Sequence, residues 1–215
     1  IGARERWMTE LLKTRVGGVI LAGGKATRMG GGDKGMRAVG DRRLIDHVIT
    51  RITPQVAQVA LNANGDAARF SEFGLPVLAD GLPDYPGPLA GVLAGMDWAA
   101  EQGFDAVVSV AADTPFFPMN LVKDLSQHAG PSGLCLAASP DETGRIQRQP
   151  TFGLWPVALR HDLRAALVDG LRKIVIWTER HKAGQAVFVE TANPFFNVNT
   201  PDELLQAEAI ARRLG

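Results

Sequence analysis

The chain has 215 residues, 46% hydrophobic and 21% charged, which suits one soluble domain, since single cores commonly reach roughly 250 residues before dividing. Lys plus Arg number 23 and Asp plus Glu number 23, so the formal net charge is zero, which argues against a polycation that coats nucleic acid or anionic lipid. The lone cysteine, Cys135, excludes an intramolecular disulfide and a cysteine-rich zinc site, and no apolar run approaches the roughly 20 residues that span a bilayer.

Residues 1–15 lack the apolar core of a signal peptide and read as an extension outside the fold, so the expectation is a cytoplasmic protein with one domain over 16–215. The segment 16–22 (VGGVILA) is short, β-branched and glycine-terminated, as in a buried strand. Apolar residues at 44, 45, 48, 49 and 52 predict a helix over 44–52. Strand character returns at 56–61 and 75–79, followed by a helix over 89–100 and a strand over 106–111 (AVVSVA). A helix over 119–128 and a strand over 134–138 come next, then helices over 157–168 and 172–181 with Gly170 between them. Short strands are expected at 186–189 and 195–198, and Pro201 opens a final helix. Alternating strands and helices predict an α/β fold whose mainly parallel sheet is covered on both faces. In such sheets ligands bind beyond the carboxyl ends of strands, which directs attention to the residues after 22, 61 and 111.

The first of these loops reads LAGGKATRMGGGDKG over 21–35. Its six glycines expose backbone N–H groups to an anion, and Lys25, Arg28 and Lys34 add positive charge. Gly30, Gly32 and Gly35 spell G-x-G-x-x-G, but they lie too far past the strand and open no long helix, so the dinucleotide fingerprint lacks its context. Lys34 is followed by Gly35 and not by a hydroxyl residue, which excludes the P-loop.

The remaining pattern, L-A-G-G-x-x-x-R-M-G-x-x-D-K, resembles the Rossmann-like nucleotidyltransferases, and most closely the molybdenum cofactor guanylyltransferases (the MobA family). The resemblance runs from residue 17 to about 210 through Asn62 in LNAN, Asp80 in VLAD, PGPLAG at 86–91, Asp113 in AADTPF, and NVNTPDEL at 197–204. It implies a single three-layer αβα Rossmann-like domain with a mainly parallel (mixed) sheet. It also implies transfer of GMP from GTP to the terminal phosphate of Mo-molybdopterin, with Mg²⁺ as cofactor and molybdoenzymes or cofactor-biosynthesis proteins as possible partners.

Chemically, such transfer joins two polyanions and needs alignment and charge neutralisation more than a nucleophilic side chain. No Ser/His/Asp or Cys/His arrangement is present, and His47, His128, His161 and His181 lack metal-ligand spacing. By resemblance, Leu21, Ala22 and Gly23 surround the nucleotide with backbone, and Arg28 and Lys34 hold the triphosphate. Asp113, at the end of a strand, would be the magnesium ligand; Asn62 and Asp80 would contact GTP, with the division between base and ribose left open. Asn197 and Asn199 would alternate onto one side of a strand and meet the pterin, while Asn199 could also help position magnesium. Gly170, Arg172 and Lys173 resemble a loop near the second substrate. Thr200 before Pro201 reads as a helix N-cap, Cys135 as a buried strand residue, and Trp7, Trp98, Trp155 and Trp177 as packing residues.

The rivals are a cytidylyltransferase acting on the same pterin, a sugar-1-phosphate nucleotidyltransferase, and a non-catalytic GTP-binding cofactor carrier. Ala22-Gly23-Gly24 stands where CTP-using relatives carry A-A-G, and Asp33 where sugar-specific ones carry proline. Pure binding would require neither Lys34 nor Asp113. Nothing resembles a nucleic-acid module, because no basic stripe carries interleaved aromatics. The neutral net charge conceals opposed regions: residues 25–43 hold six Lys/Arg against two Asp, while 61–120 hold eight Asp/Glu against one Arg.

Overall fold

The computed structural model describes residues 15–23, 33–82, 87–171, 173–189 and 193–214. In chain order, β1 (Val16–Leu21) is followed by the short strands β2 (Ala38–Val39) and β3 (Arg42–Arg43), then α1 (Leu44–Ile52), β4 (Val59–Asn62) and β5 (Val77–Leu78). Next come α2 (Pro88–Glu101), β6 (Ala106–Ala111), α3 (Leu121–Gln127), β7 (Cys135–Pro140) and β8 (Ile146–Pro156). The last elements are α4 (Arg160–Val168), α5 (Ile174–Arg180), β9 (Gly184–Val187) and α6 (Pro201–Leu214).

Seven strands form one sheet in the order β5-β4-β1-β6-β8-β7-β9, and β2 pairs with β3 in a separate hairpin. All neighbours are parallel except β8, which runs antiparallel to both β6 and β7. Strand β1, buried except at its last residue, lies inside this order between β4 and β6, and its two glycines admit helices closely on either face. A Cβ on Gly17 would fall 2.8 Å from Trp98 of α2, and one on Gly18 would fall 3.1 Å from Ile52 of α1. The strand's alternation then divides the core. On one face Ile45 and Ile52 of α1 and Leu121 and Leu125 of α3 share a cluster with Ile20, Leu61 and Val108. On the other, Val92 and Met96 of α2, Leu163 of α4 and Trp177 of α5 cluster with Val19, Ala60 and Val107. The architecture is therefore the expected three-layer αβα domain, Rossmann-like in its parallel half. Helix α6 stands outside the layers, with Ala207 packed among Val39, Leu44, Phe196 and Val198. No helix among the described residues is long and apolar enough to cross a membrane.

Most expected elements form within two or three residues of their predicted bounds, and Cys135, Trp98, Trp155 and Trp177 are buried as expected. Two expectations are corrected. The longest strand, β8, was absent from the sequence pattern because its two halves have different surroundings. Its FGLW end is buried, whereas residues 146–148 are exposed in a ribbon with β7. Between them the register shifts at Leu136/Ala137, opposite Pro150, which has no N–H to offer the ladder. The other correction concerns 195–198, which forms no strand. Phe195, Phe196 and Val198 are buried, but the segment is tied to the end of the sheet by a single backbone bond, Val198 N to Asp113 O at 2.9 Å. Burial supplied the alternating apolar pattern there without a ladder partner.

The irregularity in β8 is compensated by Ser109 of β6, which is fully buried. Its hydroxyl donates to Thr151 O at 2.9 Å and accepts from Trp155 Nε1 at 2.7 Å. Removing it orphans a carbonyl and an indole N–H inside the core. Ser109→Ala is therefore expected to destabilise the fold by about 1–3 kcal/mol for each orphaned group, read by urea unfolding; a loss under about 0.5 kcal/mol would contradict this role.

Candidate active site

The chain leaves β1 toward β4 on one side and later returns to β6 on the other, so the connections part beyond the carboxyl ends of β1 and β6 and leave a crevice above them. The strands stay knit to their last residues. Ala22 N donates to Asn62 O at 2.9 Å, and Ala112 N donates to Leu21 O at 3.1 Å. Leu21 is half-buried and Ala22 buried, while Gly23 is exposed with open space where a side chain would start. Backbone is thereby presented at the head of the crevice.

Lys34 enters from the side. It begins a single 3-10 turn, Lys34–Met36, and the next residue, Gly35, is buried so tightly that a Cβ there would lie 3.0 Å from the Cβ of Ala112. That close approach sets Lys34 beside the residue following Ala112. Lys34 Nζ lies 3.5 Å from Asp113 Oδ2 and donates to Asn199 Oδ1 at 2.5 Å. Asn199 is fixed in turn by the start of α6. Its N–H and that of Thr200 both donate to Glu203 Oε2, at 2.7 and 2.9 Å, while Glu203 N donates back to Thr200 Oγ1 at 3.2 Å. This is a capping box, and it realises the N-cap role expected of Thr200. Three segments far apart in the chain thus converge on one ammonium group.

Asp113 is 18% exposed at its side chain and Lys34 23%. Burial pushes the Asp113 carboxyl above the usual carboxylate range, and the Lys34 ammonium, its own backbone N–H and the Thr114 hydroxyl offset only part of that cost. An ionised Asp113 is therefore only partly compensated by positive charge among the described residues. Among the described residues no group of three or more His, Cys, Asp and Glu side chains could enclose a metal ion. A single carboxylate beside a lysine still suits Mg²⁺, which takes one or two carboxylates and fills its shell with substrate phosphates and water.

A second cluster lies at the ends of β4 and β5. Asn62, 5% exposed, donates through Nδ2 to Leu78 O at 3.1 Å and to Asp80 Oδ1 at 2.9 Å. Asn64 Nδ2 donates to Asp80 Oδ2 at 2.7 Å, and Asp80 N donates to Asn64 Oδ1 at 2.9 Å. The first turns of α2 lie over Asn62, where a Cβ on Gly91 would fall 2.1 Å from Asn62 Oδ1. Only a glycine admits that amide, which accounts for the last residue of the PGPLAG run. The structure therefore joins Asn62 to Asp80 and adds Asn64. The LNAN repeat of asparagine at alternate positions carried that signal.

The remaining expected site residues are placed differently. Asn197 is exposed and, with no strand at 195–198, does not share a sheet face with half-buried Asn199. Arg28 and Arg172 lie outside the described residues, as do Trp7 and Lys25. Lys173 immediately precedes α5, after a turn at Gly170 with φ +89°.

Residues 18–183 match the family model of the MobA-like NTP transferase domain. The chain belongs to that family. Within it, the chain is 48% identical over 210 residues to a molybdenum cofactor guanylyltransferase of Bradyrhizobium sp. (strain ORS 278), covering 95% of this chain and 97% of that protein. It is 47% identical over 198 residues to the Nitrobacter hamburgensis protein of the same name, covering 90% and 93%. Among solved structures, molybdopterin-guanine dinucleotide biosynthesis protein A from Archaeoglobus fulgidus superposes with a TM-score of 0.68 at 22% identity, covering 92% of this chain and 99% of that one. This MobA-like NTP transferase is accordingly a nucleotidyltransferase, with Lys34, Asp113 and Asn199 gathered where the family motifs end.

The raised Asp113 has a consequence for stability. At pH well below the ordinary carboxylate value it is protonated in folded and unfolded chains alike. As pH climbs through its elevated folded-state value, ionisation favours the unfolded chain, so the residue costs stability near neutrality. Asp113→Asn, without nucleotide or metal, is expected to melt at a higher temperature than the parent at neutral pH, with the gain vanishing toward about pH 3. Equal melting at neutral pH would show that Lys34 fully compensates the carboxylate.

Proposed function

We propose that the protein is a Mg²⁺-dependent molybdenum cofactor guanylyltransferase, using GTP and Mo-molybdopterin as substrates. An oxygen of the pterin's terminal phosphate attacks the α-phosphorus of GTP, a new P–O–P linkage forms, and the bond from the α-phosphorus to the bridging oxygen breaks. Pyrophosphate departs, leaving molybdopterin guanine dinucleotide. The attacking oxygen is already anionic, so no side chain has to remove a proton.

The observation that carries this reading is the convergence of Lys34, Asp113 and Asn199 at the carboxyl ends of β1 and β6. Lys34 supplies a compact positive charge where the α-phosphate gains negative charge during transfer. Asn199 Oδ1 restrains that ammonium and keeps it directed into the crevice. Asp113 would hold Mg²⁺, which when bound supplies charge neutralisation to the phosphate oxygens. Leu21, Ala22 and Gly23 offer backbone to the nucleotide, and Arg28 would add a bidentate contact to the triphosphate.

The Asn62–Asp80–Asn64 cluster presents carboxylate oxygens held in place by amide donors. Guanine carries N1–H and N2–H₂ donors that such acceptors satisfy, which supports GTP, as do the names of the relatives above. Asn197, Asn199 and Arg172 are assigned to the pterin side. A cytoplasmic location, where Cys135 stays reduced, and delivery of the product to molybdoenzymes belong to the same reading.

Pyrophosphate release measured with GTP, CTP, ATP and UTP in turn, each with Mg²⁺ and molybdenum-loaded molybdopterin, tests the proposal. GTP is expected to dominate, and Asp113→Ala to abolish turnover while leaving pterin binding largely intact. A preference for CTP, or activity only with sugar phosphates, would overturn the guanylyl assignment; unchanged turnover in Asp113→Ala would overturn the magnesium assignment.

A further inference from the structure

Asp33 directly precedes Lys34, and its carboxylate is met by an arginine from a different part of the sheet edge. Arg69 belongs to the 3-10 segment Ala67–Phe73 that follows β4. Its Nε lies 2.7 Å from Asp33 Oδ2, an ion pair in which the Nε–H is not directed at the oxygen. The other two nitrogens are spent on the β4 loop. Nη2 donates to Asn64 O at 2.7 Å and Nη1 to Asp66 O at 3.0 Å. The guanidinium plane sits over the ring of Phe70 at 4.7 Å, and Phe70 is almost wholly buried. The loop closes around the group: at Gly65, with φ +86°, a Cβ would fall 3.2 Å from Nη1. Asp66 holds the start of the segment by accepting from Ala68 N at 2.9 Å.

Each end of this arrangement is a part of the site. Asn64 is the residue that grips Asp80 in both directions, and Asp80 is bonded to Asn62. Asp33 is covalently joined to the lysine that meets Asp113 and Asn199. The geometry points to Arg69 as a positioning residue, which holds the Lys34 phosphate segment in register with the Asn62–Asn64–Asp80 nucleoside cluster. A planar fork suits the task because its two Nη groups are held by the carbonyls of Asn64 and Asp66 while its charge stays beside Asp33, a set of contacts that a single ammonium cannot keep together. Register matters because reacting groups displaced by about 1 Å lose on the order of 100-fold in rate. The inference rests on the proposed assignment of these two clusters to nucleoside and triphosphate.

Affinities for GMP and GTP, measured by titration calorimetry, test it without turnover. The ratio of the two reports how well the triphosphate and nucleoside contacts are made together. Arg69→Met is expected to leave GMP affinity within about twofold while the gain from GMP to GTP falls about tenfold, in keeping with lost alignment. The Arg69→Met/Asp33→Asn double variant removes one charge of each sign and keeps the net charge, so the same fall in it marks lost register and not lost attraction. Should either variant lack a cooperative melting transition, Arg69→Lys, which keeps the charge without the fork, is read in its place with the same direction expected. An unchanged GMP-to-GTP gain would overturn the positioning role alone. Wild-type protein that binds neither nucleotide would overturn the proposed function and this inference with it.

Discussion

A carboxylate that has lost most of its water needs positive charge close by, and in this protein Lys34 meets only part of that need at Asp113. The surrounding construction can be read from this one requirement. Gly35 is bare so that the Lys34 turn can lie against Ala112. The capping box at Thr200 and Glu203 fixes Asn199, whose carbonyl oxygen holds the ammonium. Val198 N reaches back to Asp113 O, tying the start of α6 to the end of β6. Each device shortens the distance between groups that lie 79 and 165 residues from one another along the chain. The unmet charge that remains is what a cation bound with a polyanionic substrate would complete.

The neutral composition acquires its meaning in the same place. A cationic stretch over 25–43 and an acidic stretch over 61–120 cancel in the sum, yet the fold brings them into contact at Lys34 with Asp113 and again at Arg69 with Asp33. The second contact reverses the pattern, with the acidic residue supplied by the cationic stretch and the cation by the acidic one. Local opposition of charge suits small anionic substrates, whereas a global excess would attract polyanions of every kind.

Much of this was legible in the residues. Leu21, Ala22, Gly23, Asn62, Asp80 and Asp113 fall at or just beyond strand ends, and the hydrophobic period placed those ends correctly, whereas Lys34 sits in a separate turn and was legible only from the loop pattern. Asn199 was legible for a second reason, since Thr200-Pro201-Asp202-Glu203 announces a helix start just beyond it. What escaped depended on distant partners. Half of β8 is polar because it extends past the layers, and its break at Pro150 hid the ladder on either side. Phe195 to Val198 alternate because they cover the end of the sheet, so their pattern implied a strand that has no partner. Arg69 carried no signal in the sequence, and only the fold brings it to Asp33, beside Lys34.

In the proposed function Asp113 and Lys34 together hold the triphosphate and its cation. The most direct measurement of that role is the affinity for GTP with and without Mg²⁺, compared between the parent protein and Asp113→Asn by titration calorimetry. Mg²⁺ is expected to tighten GTP binding about tenfold or more in the parent and to have little effect in the variant, because the carboxylate donor is gone. An equal response to Mg²⁺ in both proteins would contradict it.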